Sequence, residues 1–223
     1  MNTLIFGRRQ HGKSTLAMWL ARKQKRPTVI YDINSQFRAW PESVVYSADD
    51  LHVVLEVGRL PLIIFRPDDE QRDFAAFAEE LWERRGYTLI VDEASFLQNP
   101  QSADPWLRKF IRAADPDDIG LIQTSHMPAD LWGKGRGLSS DWYIFHLTRP
   151  ADLQAVADQC GEDVALRVSQ LGQREFVHYN LDTKASEFVN DPRSWFVDIK
   201  GEASASSRVR SQNFQMEPVN ALE

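Results

Sequence analysis

The stretch that decides the fold is GRRQHGKST, residues 7–15, which directly follows the apolar run LIF at residues 4–6. Gly7 and Gly12 enclose four variable residues, and a lysine and two hydroxyl residues follow. Glycine lets a backbone turn tightly and approach an anion closely, so that backbone N–H groups can point at phosphate oxygens. A buried strand before the segment and a helix after it give such a loop its context. The sequence therefore predicts a phosphate-binding loop between the first strand and the first helix.

Each part of this loop has a predicted role toward a nucleotide. Lys13 supplies a point charge to the β- and γ-phosphates, and Ser14 offers a hydroxyl to Mg²⁺. The helix that begins there directs its positive end at the anion. We therefore expect ATP and Mg²⁺ as cofactors, bound by the loop residues Gly7, Arg8, Arg9, Gln10, His11, Gly12, Lys13, Ser14 and Thr15.

A second signature is TLIVDE, residues 88–93, in which an aliphatic strand ends in two carboxylates. Open α/β sheets bind ligands at the carboxyl ends of their strands. Asp92 is suited to hold Mg²⁺, and Glu93 is suited to polarise an attacking water, which is a poor nucleophile toward a polyanion. The alternative is a solvated strand end, which the upstream phosphate loop disfavours. The pair therefore predicts nucleotide hydrolysis rather than binding alone.

The order of apolar runs and helical patterns predicts an α/β P-loop NTPase fold, with a mainly parallel central sheet flanked by helices. Near-continuous apolar runs indicate strands that are buried on both faces. Residues 175–180 are predicted to form a late strand, antiparallel at the sheet edge. Residues 1–200 form the predicted ATPase domain, and residues 201–223 lack apolar periodicity and are expected to be a flexible or partner-bound tail. The other predicted strands are 3–6, 28–31, 61–65, 87–91, 120–124 and 142–147, and the predicted helices are 14–25, 73–85, 106–114 and one from about 151.

Composition limits the classes of partner. The 223 residues carry a net charge of −6, which argues against a basic surface that binds nucleic acid everywhere but leaves room for a local basic stripe. Cys160 is the single cysteine, which excludes an internal disulfide and fits a reducing cytosol. No apolar run approaches the roughly 20 residues of a membrane span.

The order of these pieces resembles the FtsK–HerA superfamily of nucleic-acid-pumping ATPases, over most of residues 1–150. The phosphate loop, the acidic strand and the strand VIYD at residues 29–32, which ends in an aspartate, resemble their counterparts in that family. So do IRAADPDDIGLIQTSHMPADL, residues 111–131, and DWYIFHLTRPADLQ, residues 141–154. The chain departs from the family where a Gln commonly follows a Thr: here Ser125 and His126 follow Thr124, and Gln123 precedes it. Which of Gln123, Ser125 and His126 senses the γ-phosphate therefore stays open.

Within the superfamily, the compact size and the strand ending FRP at residues 65–67 look like viral and phage genome-packaging ATPases. They also resemble the ATPase part of filamentous-phage assembly proteins of the zonula-occludens-toxin type, which usually carry a membrane span that this chain lacks. The resemblance implies a homo-oligomeric ring, a pentamer or hexamer, that translocates double-stranded DNA in the host cytoplasm and packages a viral genome into a preformed capsid, attached to a capsid or portal vertex protein. The alternatives are a filamentous-phage-type assembly or secretion ATPase, a monomeric P-loop kinase or nucleotide switch, and an ATP-binding scaffold.

Three cations have further predicted roles, each with a plainer alternative. The resemblance implies that Arg112 acts in trans on a neighbouring subunit's nucleotide; otherwise it is a solvated helix charge. The segment WGKGRGLSSD, residues 132–141, predicts a glycine-rich loop that presents Lys134 and Arg136 to DNA phosphates; otherwise it is an ordinary surface loop. Arg136 is also a second candidate for the trans arginine.

Overall fold

The structure, a computed structural model, describes residues 2–38, 43–58, 60–114 and 118–190, so the predicted tail at 201–223 lies outside the described residues. Within these residues, nine strands form one sheet in the order β11-β10-β9-β1-β8-β5-β2-β4-β3, and β6 and β7 form a separate hairpin. The strands are β1 (Asn2–Phe6), β2 (Thr28–Tyr31), β3 (Val44–Val45), β4 (Leu62–Phe65), β5 (Tyr87–Val91), β6 (Gln98–Asn99), β7 (Ser102–Ala103), β8 (Ile119–Ser125), β9 (Asp141–Phe145), β10 (Phe176–Asn180) and β11 (Ala185–Val189).

The sheet is parallel from β9 to β3, and β10 and β11 continue it in antiparallel fashion. The mainly parallel sheet predicted from the sequence is thus confirmed, as is the antiparallel direction of the strand predicted at 175–180. That strand, β10, is one place in from the edge, because β11 pairs outside it. The β11 sequence ASEFV has little apolar character, which is why its pattern did not identify it.

Helices cover both faces of this sheet. They are α1 (Lys13–Lys23), α2 (Ala48–Val57), α3 (Arg72–Trp82), α4 (Pro105–Ala113), α5 (Gly133–Arg136), α6 (Pro150–Cys160) and α7 (Glu162–Ser169). The strand register places Leu4, Gln123 and Val91 side by side, so these residues share one face. That face carries two hydrophobic clusters: one beneath α2, α3 and α4 contains Phe74, and one beneath α6 and α7 contains Val156.

The strand order brings four carboxyl ends together at one edge of the sheet. β1, β8, β5 and β2 are consecutive neighbours, and all four run in the same direction. The residues that follow them therefore meet: the phosphate loop after β1, His126 after β8, the acidic pair after β5 and Asp32 after β2. This edge holds the candidate site.

The segment predicted as a glycine-rich loop contains a short helix, α5. A Cβ added to Gly135 would lie 2.9 Å from Cε3 of Trp132 and 3.3 Å from Cδ1 of Ile111. The absence of a side chain at Gly135 thus lets the helix pack closely against a buried indole. Besides α5, the helices α2 and α7 were not predicted. In α2, apolar side chains also face solvent, and Val53 is 61% exposed.

Candidate active site

The phosphate loop leaves β1 at Gly7 and enters α1 at Lys13. Gly7 has φ of 147° and Gly12 has φ of 107°, a region that side chains disfavour. A Cβ at Gly7 would lie 2.5 Å from the Cβ of Phe145 on the neighbouring strand. The first N–H groups of α1 have no partner within the helix, so they are available to an anion at this position.

Lys13 is buried, and its side chain folds back over the loop. The Nζ atom donates to the carbonyl oxygens of Gly7 at 2.8 Å and Arg8 at 3.1 Å, and it lies 3.2 Å from Nε2 of His126. Burial lowers the pKa of the Lys13 ammonium to about 8, and the negative charges of Glu93 and Asp92 oppose that shift. The buried ammonium has therefore lost part of its hydration, and an anion close to it would stabilise its positive charge.

Asp92 lies at the end of β5, 3% exposed. Its Oδ1 accepts from the hydroxyl of Thr124 at 2.8 Å, and its Oδ2 accepts from the amide of Asn34 at 3.3 Å. Burial raises the pKa of Asp92, while these two hydrogen bonds oppose the rise. A cation beside this carboxylate would compensate the unfavourable burial of its charge.

Glu93 adopts a left-handed backbone conformation, with φ of 49° and ψ of 56°. Such a conformation costs about 1–3 kcal/mol for a residue with a side chain, and it persists only where the surroundings enforce it. The Glu93 N–H donates to the Thr124 hydroxyl at 3.0 Å. Oε1 accepts from the Ser95 hydroxyl at 2.7 Å, the Ser125 hydroxyl at 3.3 Å and the His126 N–H at 3.0 Å. The carboxylate is therefore fixed by the end of β8.

His126 connects this carboxylate to Lys13 of the predicted phosphate loop. Its Nδ1 contacts Oε2 of Glu93, and its Nε2 contacts Nζ of Lys13. An ammonium can only donate, so Nε2 accepts, and the ring proton lies on Nδ1 and is donated to Glu93. Burial alone would raise the pKa of Glu93, but the hydrogen bonds from His126 and Ser95 lower it below its usual value. Glu93 is thus held as a carboxylate.

Asp32 organises the opposite side of the site. It is fully buried and accepts from the backbone N–H groups of Gln36 at 2.9 Å and Phe37 at 3.2 Å, and it pairs with Arg66. The loop held in this way carries the amide of Gln36 to the Ser14 hydroxyl at 3.2 Å. It also carries Asn34 to Asp92. One loop therefore contacts both residues that were predicted to bind Mg²⁺.

The donor set suits Mg²⁺ bound together with phosphate oxygens. Among the described residues, no cluster of three or more His, Cys, Asp or Glu side chains could hold a metal ion. Mg²⁺ in nucleotide sites is bound by one or two protein oxygens together with substrate phosphates and waters. Ser14 and Asp92 supply a hydroxyl and a carboxylate of that kind.

The other loop residues lie at the surface of the site. Arg8, Arg9, Gln10 and Thr15 are exposed. His11 is half-buried; its Nδ1 contacts the Arg9 carbonyl oxygen at 2.9 Å, and its ring stacks on His146 with the centroids 6.1 Å apart. Their roles in nucleotide binding stay predictions.

The predicted trans and DNA-contacting cations lie away from these groups. Arg112 is exposed in the last turn of α4, where the following Ala114 bridges to Ile119 at the start of β8, the opposite end of the sheet from the phosphate loop. Arg112 therefore lies away from this chain's own phosphate loop, and its role in trans stays a prediction. Lys134 is exposed on α5. Arg136 is half-buried, donates to the Pro128 carbonyl oxygen at 3.0 Å, and has its pKa lowered by burial.

Among the three candidate sensors, Ser125 and His126 contact Glu93. Gln123 lies further back along β8, where its amide bonds to Gln98 and Asn2. Sequence reasoning did not assign roles to Thr124, Ser95, Asn34 or Gln36. Their short polar side chains directly after or near buried strands were the available signal, but only the strand order shows which of them meet.

No helix among the described residues is long and apolar enough to cross a membrane. No protein-family model matches the sequence, and no curated protein sequence matches it.

Comparison with solved structures gives a clear fold assignment. The genome-packaging NTPase B204 of Sulfolobus turreted icosahedral virus 2, in complex with ATPγS, superposes with a TM-score of 0.68 at 19% identity, covering 84% of this chain and 95% of that one. VirB4 of Thermoanaerobacter pseudethanolicus gives 0.66 at 12% identity, covering 84% and 88%. The N-terminal domain of the Neisseria meningitidis zonular occludens toxin gives only 0.46 at 15% identity, covering 87% and 95%, and carries no weight. The chain therefore has the α/β P-loop NTPase fold that its sequence predicted, and it shares this fold with the two structures that superpose above 0.6.

Proposed function

We propose that this protein is a Mg²⁺-dependent ATPase that forms a homo-oligomeric ring and translocates double-stranded DNA, packaging a viral genome into a capsid. One observation carries the proposal: a buried carboxylate, Glu93, is fixed next to the phosphate-binding Lys13 through His126. A site that only binds a nucleotide has no need of an oriented general base. The fold shared with a viral packaging NTPase supports the same function.

In this mechanism the chain's own residues divide the work. The phosphate loop and Lys13 bind and orient the phosphates, and Ser14 and Asp92 would hold Mg²⁺. The metal, when bound, supplies positive charge that offsets the charge on the phosphate oxygens. Glu93 accepts a proton from the attacking water, and its hydrogen bonds to Ser95 and Ser125 keep one carboxylate oxygen fixed while the other faces His126.

His126 is the γ-phosphate sensor in this proposal. Its Nε2 accepts from Lys13, and its Nδ1 donates to Glu93. An anion that draws the Lys13 ammonium away therefore removes the hydrogen-bond partner of Nε2 from the same imidazole ring that holds Glu93. His126→Phe keeps the ring shape without either nitrogen. It should lower kcat by more than it raises KM, and an unchanged kcat would remove the sensor role.

The test of the function is ATP hydrolysis by purified wild-type protein and by Glu93→Gln, with and without duplex DNA. Loss of a positioned general base lowers rates by about 10²–10⁴-fold, and Glu93→Gln should show a loss of that order while still binding Mg-ATP. Glu79→Gln, at an exposed helix position, is the matched control and should hydrolyse ATP normally. Normal turnover by Glu93→Gln would refute the catalytic assignment.

DNA and the ring need their own measurement. Sedimentation with a non-hydrolysable nucleotide should show a pentamer or hexamer, and duplex DNA should raise the hydrolysis rate of that assembly. A ring that hydrolyses ATP but neither binds DNA nor responds to it would indicate a scaffold and not a motor. A monomer that transfers phosphate to a small acceptor would be a kinase.

A further inference from the structure

A chain of buried amides crosses the sheet face between the two hydrophobic clusters. Gln98, Gln123 and Asn2 are 8%, 1% and 3% exposed. The Gln98 Nε2 donates to Oε1 of Gln123 at 3.1 Å, and the Gln123 Nε2 donates to Oδ1 of Asn2 at 3.4 Å. A buried polar network is costly unless its members are satisfied, so it calls for a reason other than packing.

This amide chain holds both ends of the segment at residues 132–138, which includes α5. At one end, the N–H of Trp132 donates to Oε1 of Gln98 at 3.1 Å. At the other end, Nδ2 of Asn2 donates to the Leu138 carbonyl oxygen at 3.3 Å. The position of the exposed Lys134, between these two anchors, is thus set by the amide chain.

The β6–β7 hairpin belongs to the same unit. Its strand residue Gln98 starts the amide chain, and its turn carbonyl, at Pro100, accepts from the N–H of Gly133 at 3.2 Å. Inside the turn, Oδ1 of Asn99 accepts from the N–H groups of Gln101 and Ser102 at 3.0 Å each, which fixes the turn geometry. The hairpin and the Lys134 segment therefore present their exposed faces side by side.

The exposed chemistry of this unit suits a phosphate backbone. Residues 98–103 and 132–138 contain no acidic residue, although the whole chain has a net charge of −6. The hairpin turn exposes Asn99, Gln101 and Ser102, and α5 exposes Lys134. Amides, hydroxyls and ammonium groups are the side chains that contact nucleic-acid phosphates without reading sequence.

The unit is also connected to the candidate general base by two routes. Along the chain, Ser95 lies three residues before Gln98 and donates to Glu93. Across the sheet, Gln98 bonds to Gln123, two residues before Ser125, which also donates to Glu93. A shift of the hairpin would therefore move both hydroxyls that fix Oε1 of Glu93.

We propose that the β6–β7 hairpin is a second DNA-backbone contact beside Lys134, and that Gln98 is a positioning residue that transmits DNA contact to Glu93. This inference rests on the proposed function, because it assumes that DNA stimulates hydrolysis. It adds the hairpin, which sequence reasoning did not identify, and it gives the buried amide chain a role.

The contact is tested by two variants of opposite charge at Gln101, which is exposed, so that neither substitution threatens the fold. Binding of fluorescent duplex DNA to the full chain is measured by anisotropy over a range of salt concentrations. Gln101→Lys should tighten binding and steepen the log–log salt dependence by up to about 0.9, and Gln101→Asp should weaken binding at low salt. Equal affinities for the two variants, or a shift in the same direction, would overturn the contact.

The coupling is tested by Gln98→Met, which keeps the length of the side chain and removes the two hydrogen bonds that its amide group makes. The ratio of hydrolysis rates with and without DNA should fall to about one, while the protein still binds DNA. Gln154→Met, which removes an exposed amide on α6, is the matched control and should keep the wild-type ratio. A wild-type ratio in Gln98→Met would overturn the coupling.

Gln123→Met interrupts the same amide chain at its centre, and it should reproduce the loss of stimulation. If Gln98→Met does not fold, Gln123→Met and the Gln101 pair decide the matter: full stimulation in a folded Gln123→Met would overturn the coupling. Failure of the motor proposal has a different signature, because wild-type protein itself would then show no DNA stimulation. In that case the inference falls with it.

Discussion

The Thr124 hydroxyl contacts both members of the acidic pair, so its removal is a sharp test of the site's construction. The hydroxyl donates to Oδ1 of Asp92 at 2.8 Å and accepts from the N–H of Glu93 at 3.0 Å. Thr124 is fully buried, so no water can replace either bond without a rearrangement. The perturbation is Thr124→Val, which keeps the shape and removes only the hydrogen-bonding capacity.

The magnitude follows from these two contacts. A hydrogen bond to a charged group contributes about 1.5–3 kcal/mol, and a buried donor left unpaired costs about 1–3 kcal/mol. The Val variant should therefore lose about 3–5 kcal/mol of unfolding free energy, a large share of the roughly 5–15 kcal/mol of a typical domain. Thr124→Ser keeps the hydroxyl and should lose only about 1 kcal/mol for the missing methyl group.

The assay is urea unfolding of wild type, Thr124→Val and Thr124→Ser without nucleotide, followed by far-UV circular dichroism. ATP hydrolysis by each variant at a temperature where it is folded is the second readout. The Val variant should lose hydrolysis as well as stability, because the backbone of Glu93 is no longer held in its left-handed conformation. Equal unfolding free energies for the Val and Ser variants would refute the reasoning, because the hydroxyl would then contribute nothing measurable to stability.

Three further predictions concern single groups. Lys13→Ala should abolish nucleotide binding or hydrolysis but melt close to wild type, because it removes a buried charge together with its hydrogen bonds; hydrolysis by the folded variant would end the phosphate-site assignment. Arg112→Ala and Glu93→Gln subunits should each be inactive alone but partly active when mixed, since one intact interface can form between a donor and an acceptor; a wild-type rate for Arg112→Ala alone would move the trans role to Arg136. Burial raises the pKa of the Cys160 thiol to about 12, so alkylation at pH 8 should be slow in the native protein and fast in urea, and fast native labelling would contradict its burial.

The strand, loop and helix around residues 7–13 and the strand that ends in the acidic pair could be predicted because their information is local. A glycine-bounded loop between a buried strand and a helix has few other uses, and Lys13 and Asp92 lie where that pattern requires. The predicted strands and helices that carry these motifs all exist, with ends that agree or differ by at most three residues. Helix ends shift easily because capping and fraying depend on neighbours that the pattern does not include.

The contacts between motifs could not be predicted, because they depend on the order of strands in the sheet. Ser125 and His126 reach Glu93 because β8 lies between β1 and β5. The periodicity of apolar residues along the sequence does not indicate which strands are neighbours in the sheet. Asp32 illustrates the same limit, since its place at a strand end was clear from the sequence, yet its role in holding the loop that reaches Ser14 depends on folding between distant segments.

The helix α2 and the strand β11 were missed for a different reason. Both lie toward the outer parts of the sheet, where half of each element faces solvent and the apolar signal is diluted. In α2 only Leu51 is fully buried among ten residues. The N-cap Ser47, whose hydroxyl accepts from the N–H of Asp50 at 3.1 Å, was the local signal that could have located the start of this helix.

The hydrogen bonds of Lys13 imply an order of events at the site. An ammonium has three N–H donors, and here all three have partners: two loop carbonyl oxygens and Nε2 of His126. A phosphate oxygen that approaches Lys13 must therefore replace at least one of them. The hydrogen bonds to the two carbonyl oxygens join Lys13 to its own loop, whereas the hydrogen bond to His126 connects it to Glu93. Displacement of His126 is thus a direct route by which phosphate binding can alter the proposed general base, so His126→Phe should separate nucleotide affinity from hydrolysis, whereas changes to the loop alone should affect both together.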